Sequence, residues 1–100
     1  MIVLAGHLKT APALVEDLAA TLRALVEPTV QEDGCLNYHF TIDSREEGTV
    51  LAYERWRDEA ALAAHLGQPS VLAVLGAWAE RIDTSGVRKF DALNERSFAD

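Results

Sequence analysis

The chain has 100 residues, of which 49% are hydrophobic and 25% are charged, a composition typical of one small folded domain and not of a disordered or membrane-spanning chain. Sixteen acidic residues outnumber nine basic ones, and the formal net charge is −7. Lys and Arg supply most of the affinity of proteins for nucleic acids and for anionic lipid surfaces. We therefore predict neither a nucleic-acid partner nor a membrane partner.

The single cysteine, Cys35, excludes a disulfide within the chain and any metal site built from several thiolates. Residues 1–9 lack the basic start and the long apolar stretch of a signal peptide, and no segment approaches a run of 18 apolar residues. These features predict a cytoplasmic protein.

The first part of the chain predicts a strand followed by a helix. The segment of residues 2–9 is short and apolar, which is typical of a strand with both faces covered. Thr10 is a predicted helix cap with Pro12 in the first turn, and leucines then recur at spacings of three and four as far as Val26. Pro28 is expected to kink or end this helix, because proline lacks the N–H that the preceding turn needs.

The middle of the chain predicts a β-hairpin. Residues 49–56 are rich in β-branched and aromatic side chains, and a polar loop containing Gly48 joins them to residues 35–43. The earlier strand alternates, and one of its faces is expected to carry Leu36, Tyr38, Phe40 and Ile42.

The last part of the chain predicts two helical segments, a strand and a tail. Asp58 is the natural N-cap of a helix over residues 59–66, and Pro69 begins a second helical segment that runs as far as Ile82. Residues 86–93 are the last predicted strand, and residues 94–100 are a polar C-terminal tail.

The order β-α-β-β-α-β predicts an α+β, ferredoxin-like domain over residues 1–93, with an antiparallel sheet whose helices lie on one face. The other face is rich in apolar side chains, and exposing it would leave a larger patch than soluble monomers normally carry. We therefore predict a homodimer in which a second copy covers this face.

Few residues remain as candidates for chemistry, since the common phosphate-binding, dinucleotide-binding, zinc-binding and serine-nucleophile motifs are absent from the sequence. His7 is in the middle of the first strand, and Glu54 and Trp56 share one face of the third, which lies beside the first in this fold. His65 leans towards the buried stripe of the following helix. We predict that His7 neighbours Glu54 and Trp56, and that His65 completes a pocket between the sheet and the helices.

Each candidate also has a structural alternative. His7 and His65 are also consistent with hydrogen-bonded structural residues, and His39 with a position in solvent or at a subunit interface. Trp56 is also consistent with an ordinary core residue, and Glu54 with a partner of Arg55 or Arg57 in an ion pair. Cys35 has no basic neighbour in the sequence, and we predict that it is a small buried apolar residue.

Two segments of the chain resemble the antibiotic biosynthesis monooxygenase family, including its quinol monooxygenase-like members. The first is Gly34-Cys35-Leu36-Asn37-Tyr38, with the pattern G-C-L-x-Y, and the second is residues 54–66, with the pattern E-R-W-x-D-x-x-A-L-x-x-H-L. The resemblance covers about residues 1–93.

This resemblance implies a dimeric α/β barrel, in which two ferredoxin-like sheets pack face to face, and a pocket between each sheet and its own helices. It also implies oxygenation without a metal, flavin or haem in some members, so we expect no cofactor. The haem-degrading branch is similar in fold but has an Asn at the position of His7 and a haem-ligating His on the second helical segment. Because residues 70–82 contain no histidine, haem degradation is not expected.

These observations lead to the hypothesis of a cofactor-independent monooxygenase that oxidises a small aromatic substrate, such as a quinol, phenol or anthrone, with O2. Such a reaction needs a base that makes the substrate anion, and a histidine suits that role near neutral pH. We predict His65 or His7 as the base, Glu54 as the group that orients a histidine or the substrate hydroxyl, and Trp56 and Tyr38 as the substrate-binding wall. The alternatives are a non-oxidative isomerase, in which the same groups move a proton, and a small-molecule-binding module without turnover.

Overall fold

The computed structural model describes residues 1–99 and contains four strands and four α-helices in that part of the chain. The strands are β1 (Ile2–Thr10), β2 (Cys35–Ser44), β3 (Thr49–Trp56) and β4 (Ile82–Asp91). The helices are α1 (Val15–Arg23), α2 (Val26–Val30), α3 (Glu59–Leu66) and α4 (Pro69–Trp78), and a 3-10 helix, Pro12–Leu14, precedes α1. The strands form one sheet in the order β2, β3, β1, β4, and all neighbours are antiparallel. The predicted α+β, ferredoxin-like fold is confirmed.

The pairing of β1 with β3 decides which side chains share a face of the sheet. Ile2 lies opposite Trp56 and Leu4 lies opposite Glu54, so the even-numbered residues of both strands point towards the helices. The odd-numbered residues, such as His7 opposite Leu51, point away from the helices. We call this second side the open face.

The helices cover the other side of the sheet with two apolar clusters. One cluster packs α1 and α4 on the middle of the sheet, with Leu18 and Val50 fully buried. The other packs α3 on the ends of β2 and β3, around Trp56 and Leu62. Burying such large side chains contributes about 1.5–3 kcal/mol each, so these clusters hold the helices at fixed positions on the sheet.

The helix predicted between Thr10 and Val26 is divided into shorter pieces. The Thr10 hydroxyl donates to the carbonyl oxygen of Arg81 at 2.8 Å and caps no helix. Helix α1 ends at Arg23, before the expected break at Pro28, which lies in the first turn of α2. A proline is tolerated there because the first N–H groups of a helix have no partner within it.

The helices of this chain cover one face of strand β1, and cover of its other face by a second copy stays a prediction. The apolar side chains of the open face include Leu51, Tyr53 and Phe90, which are large and exposed. In β2 the register shifts between Cys35 and Asn37. This irregularity turns Cys35 towards the core and leaves Leu36 half exposed, against the alternation that we predicted.

The C-terminal part also differs from its predicted boundaries. Helix α4 ends at Trp78, and Ile82, which we placed in the helical segment, begins β4. Residues 92–99 form neither helix nor strand, and Glu95 makes an ion pair with Arg55. The predicted polar tail extends to Asp100, which lies outside the described residues.

Within residues 1–99, no single helix has the length and apolar character needed to cross a membrane. Helices α3 and α4 meet those criteria only when they are taken together, and the pair is bent by 67° at its break.

Candidate active site

A cavity of about 250 Å³ lies between the helices and the covered face of the sheet. Its lining comes from β1, β2, β3, β4, α1, α3 and α4 and is almost entirely apolar. Among the described residues, Glu54 is the one charged side chain that lines it. Leu66 and Leu75 also line it and are more than two-fifths exposed, so the cavity meets solvent beside α3 and α4.

Strand β3 presents Glu54 to this cavity, and Trp56 points to the same side of the sheet, because residues two apart in a strand share a face. The indole Nε1 of Trp56 donates a hydrogen bond to Oε1 of Glu54 at 3.0 Å. Burial raises the pKa of Glu54, and the indole hydrogen bond and the neighbouring His65 oppose that effect. The negative charge of Glu32 raises the pKa of Glu54 further. A carboxyl group in these surroundings can exchange a proton closer to neutral pH than an exposed one.

The structure excludes the ion-pair alternative for Glu54. Arg55 binds Asn37 and Glu95, and Arg57 binds Asp33 and Asp58. Both arginines belong to other networks, so the Glu54 carboxyl has no arginine partner among the described residues.

His65 is buried, with 2% of its surface exposed, in a cluster of aromatic rings. Its ring centroid lies 4.7 Å from that of Trp56 and 5.1 Å from that of Tyr38. Its Nδ1 lies 3.1 and 3.3 Å from the two carboxylate oxygens of Glu32, which is in the turn between α2 and β2. The histidine thus joins the aromatic cluster to an acidic group near the surface.

Tyr38 is also buried, and its hydroxyl is hydrogen-bonded to Thr29. Burial, followed by the charge of Glu54, raises the pKa of Tyr38 well above its ordinary value. The phenol therefore stays protonated at neutral pH and does not act as a base.

His7 lies on the open face, so the prediction that it neighbours Glu54 and Trp56 is wrong. The register aligns Leu4 with Glu54, which places His7, three residues further along β1, on the opposite side of the sheet. Its Nε2 lies 3.3 Å from Oδ2 of Asp43, and both side chains are about half exposed.

The structure therefore brings four of the five predicted site residues together: Glu54, Trp56, Tyr38 and His65. Of these four residues, only Glu54 lines the cavity. Trp56 and Tyr38, which we predicted as its wall, pack against His65 beside it.

Sequence reasoning missed Glu32, which is 33 residues from its partner His65. Its surroundings in the sequence are a polar turn, and an acidic residue in such a turn is usually solvated. No spacing rule links a turn residue to a helix that begins after two intervening strands, so only the tertiary structure shows this contact.

No group of three or more His, Cys, Asp or Glu side chains within residues 1–99 is arranged to hold a metal ion. Cys35 is half-buried, and burial raises the pKa of its thiol, with the charges of Glu32 and Glu54 adding to the effect. A thiol in these surroundings is not activated as a nucleophile.

Residues 1–77 match the sequence pattern of a protein family described as antibiotic biosynthesis monooxygenase. The chain is 40% identical to a putative monooxygenase of Mycobacterium tuberculosis, Rv0793, over 55 residues, which are 55% of this chain and 54% of that protein. It is 38% identical over 68 residues to an uncharacterized protein of Synechocystis, sll1783, and the match covers 68% of this chain and 46% of that protein. The matched segments thus span about half the length of these two relatives.

The fold also matches solved structures along its whole length. A putative antibiotic biosynthesis monooxygenase from Deinococcus radiodurans superposes with a TM-score of 0.83 at 25% identity, and the match covers 98% of both chains. The arrangement of sheet and helices around the cavity is therefore one that a solved structure shares.

Proposed function

Since the chain belongs to the antibiotic biosynthesis monooxygenase family, we propose that it is a monooxygenase that uses O2 to oxidise a small aromatic hydroxy compound, such as a quinol, a phenol or the enol form of an anthrone. The observation that carries the proposal is the position of Glu54, a carboxyl with a raised pKa in the wall of an otherwise apolar cavity.

The proposed reaction begins with a proton transfer. Ground-state O2 is a triplet, so it reacts slowly with a neutral closed-shell molecule, but an aromatic oxyanion can transfer one electron to it. In our proposal, the Glu54 carboxylate accepts the proton of the substrate hydroxyl, and the substrate radical then combines with superoxide. For an anthrone, the resulting peroxide anion takes the proton back from Glu54 and then loses water, so one oxygen atom enters the product as a ketone, the other leaves as water, and Glu54 is again ionised. The substrate supplies all the electrons.

The cavity favours a neutral apolar substrate. Its volume of about 250 Å³ is just below the usual range of small-molecule pockets, roughly 300–1,000 Å³, so it suits a compact aromatic molecule. No Lys, Arg or His is among the described side chains that line it. A substrate carrying a carboxylate or phosphate would have to bury that charge unpaired beside Glu54, which is costly.

We propose that His65 supports Glu54 through the aromatic cluster, and that Trp56 and Tyr38 hold these two groups in place. His7 is on the other side of the sheet and has no part in this proposal.

Oxygen consumption by the purified protein with anthrone and with 1,4-naphthoquinol tests the proposal. We expect uptake above the autoxidation rate, and a loss of about 10²–10⁴-fold in Glu54→Gln, which keeps the shape of the side chain but cannot accept the proton. Glu59→Gln is the matched control, because this exposed carboxylate pairs with Lys89 outside the cavity. A full rate in Glu54→Gln would exclude the assigned base. If the protein consumes no oxygen but the same compounds quench its tryptophan fluorescence, an isomerase or a binding module would be favoured.

We also propose that two copies pair through their open faces. Leu51, Tyr53 and Phe90 are 40%, 37% and 53% exposed there, and Val3 and Ala5 lie between them on the sheet. A second sheet packed on this face would remove these side chains from water, which supports a dimer of the predicted α/β barrel type.

A further inference from the structure

The pair formed by Glu32 and His65 lies between two different environments. Glu32 lines an outer cleft of about 370 Å³ together with Asp33, Arg57 and Gln68, and its side chain is 20% exposed. His65, 2% exposed, contacts the rings of Trp56 and Tyr38 on the inner side. The pair is therefore a polar connection between the outer cleft and the cluster that holds Glu54.

The chemistry of this contact fixes the position of a proton. An ionised carboxylate can only accept hydrogen bonds, and both Glu32 oxygens face Nδ1 of His65. Nδ1 must therefore carry the hydrogen, and in a neutral imidazole Nε2 is then the unprotonated acceptor. A histidine side chain in water favours the opposite form, with hydrogen on Nε2, so the preference comes from the contact with Glu32.

We propose that Glu32 is a positioning residue, whose carboxylate holds the His65 ring in a fixed orientation and in the tautomer with hydrogen on Nδ1 and none on Nε2. Glu32 does not line the cavity. It acts on the proposed reaction through His65.

The effect of Glu32 on catalysis rests on the proposed function. The neighbouring His65 lowers the pKa of Glu54 and so favours the carboxylate that accepts the substrate proton. Loss of Glu32 leaves the His65 ring without the contact that orients it. The ionised Glu54 then loses the support of His65, so the chemical step slows while the cavity keeps its shape.

The tautomer can be measured without any substrate. Long-range ¹H–¹⁵N correlation spectra of ¹⁵N-histidine-labelled protein at about pH 8 distinguish a protonated from an unprotonated ring nitrogen, and His7→Ala and His39→Ala assign the His65 signals by elimination. We expect a protonated Nδ1 and an unprotonated Nε2 in the wild type. In Glu32→Ala the populations should shift towards the Nε2-protonated form. Asp33→Asn, which alters the neighbouring acid of the same cleft but not the His65 contact, should leave the spectrum unchanged.

Glu32→Gln gives a second measurement if Glu32→Ala does not fold. The amide has a similar size but can either accept from Nδ1 or donate to it, so we expect a mixture of the two tautomers. Hydrogen on Nε2 in the wild type, or an unchanged tautomer in both Glu32 variants, would overturn the proposal.

Kinetics with 1,4-naphthoquinol separate positioning from binding. We expect kcat to fall about 10- to 100-fold in Glu32→Ala, the range seen when the carboxylate behind a metal-binding histidine is removed, with KM unchanged because Glu32 does not line the cavity. A rise in KM at constant kcat would contradict the role. If the wild type consumes no oxygen, the proposed function fails, while the tautomer measurement still tests the pair.

Discussion

The indole of Trp56 donates to the carboxyl of Glu54 across 3.0 Å, and both side chains come from the same face of one strand. Trp56 is fully buried against Leu62 and His65, so its N–H has a fixed direction. A hydrogen bond to a charged acceptor is worth about 1.5–3 kcal/mol, roughly twice a neutral one. This bond therefore favours the ionised form of a carboxyl that its burial would otherwise keep protonated.

Replacing the indole with a ring that cannot donate should change the pH dependence of the reaction. In Trp56→Phe the Glu54 carboxylate loses the hydrogen bond that opposes the effect of burial, so the pKa of Glu54 rises. We expect the acidic limb of the kcat/KM profile for 1,4-naphthoquinol to move to higher pH. The control is Trp78→Phe, which removes an indole that lines the same cavity but makes no hydrogen bond to Glu54, and it should move the limb less. A limb that stays in place in Trp56→Phe would show that another group controls it.

The same carboxyl should make the stability of the protein depend on pH. Burial raises the pKa of Glu54 above its ordinary value of 4.5, so the folded state binds this proton more tightly than the unfolded state. The stability contributed by the protonated form is complete below the unfolded-state pKa and is lost as pH rises through the folded-state pKa. Glu54→Gln cannot ionise and avoids this loss.

Urea unfolding of the wild type and Glu54→Gln at about pH 4, 6 and 8 checks this expectation. The free energy of unfolding of Glu54→Gln, relative to that of the wild type, should increase as pH rises. Glu59→Gln, at an exposed position, is the reference for removal of one negative charge. A difference between wild type and Glu54→Gln that is the same at all three pH values would contradict burial as the cause.

The parts of the fold that follow from local rules could be predicted from the sequence. Asp58 accepts a hydrogen bond from the backbone N–H of Ala61 at 2.9 Å, and helix α3 begins at Glu59 and ends at Leu66, as predicted from this cap. Strand β3 has its predicted bounds as well. These elements depend on residues that are close together in the chain.

The composition of the site depends on relationships that the local sequence does not contain. The register of β1 against β3 decides the face on which His7 lies, and a shift by one residue would reverse it. The irregularity at Cys35 and Asn37 likewise changes which side chains of β2 face the core. The contact of Glu32 with His65 joins a turn to a helix across the hairpin. Alternation alone predicts that Glu54 and Trp56 share a face, and that part of the site prediction is confirmed.

Gly34, at the start of the first family-like segment, is expected to be sensitive to any side chain. Its φ is +88°, and a Cβ built there would lie 2.5 Å from Cβ of Ala61 in α3. Its carbonyl also accepts the backbone N–H of Arg57 at 2.8 Å, which ties the beginning of β2 to the end of β3. We expect Gly34→Ala to lower the free energy of unfolding by more than the roughly 1–2 kcal/mol of left-handed strain alone, because α3 must also move.

The matched control is Gly76→Ala in α4, where an added Cβ meets no atom within 4 Å. Here alanine should stabilise the protein by about 0.4–1 kcal/mol, since it restricts the unfolded chain at a helical position. Chemical denaturation of both variants gives the comparison. Equal effects of the two substitutions would show that Gly34 is not held by its conformation and by its contact with α3.

The proposed dimer can be tested by placing a charge on the open face. Leu51 is 40% exposed and lies opposite His7 at the centre of that face, whereas Leu72 is 54% exposed on α4, on the helical side of the sheet. Burying a charged carboxylate in an apolar interface is costly, so Leu51→Glu should convert a dimer into a monomer, and Leu72→Glu should leave it intact. Light scattering at micromolar concentration should give twice the chain mass of 10.9 kDa for the wild type and Leu72→Glu, and the single mass for Leu51→Glu. Circular dichroism checks that each variant is folded. A wild type with the mass of one chain, or a dimer that Leu51→Glu leaves unchanged, would mean that something other than a second open face covers these side chains.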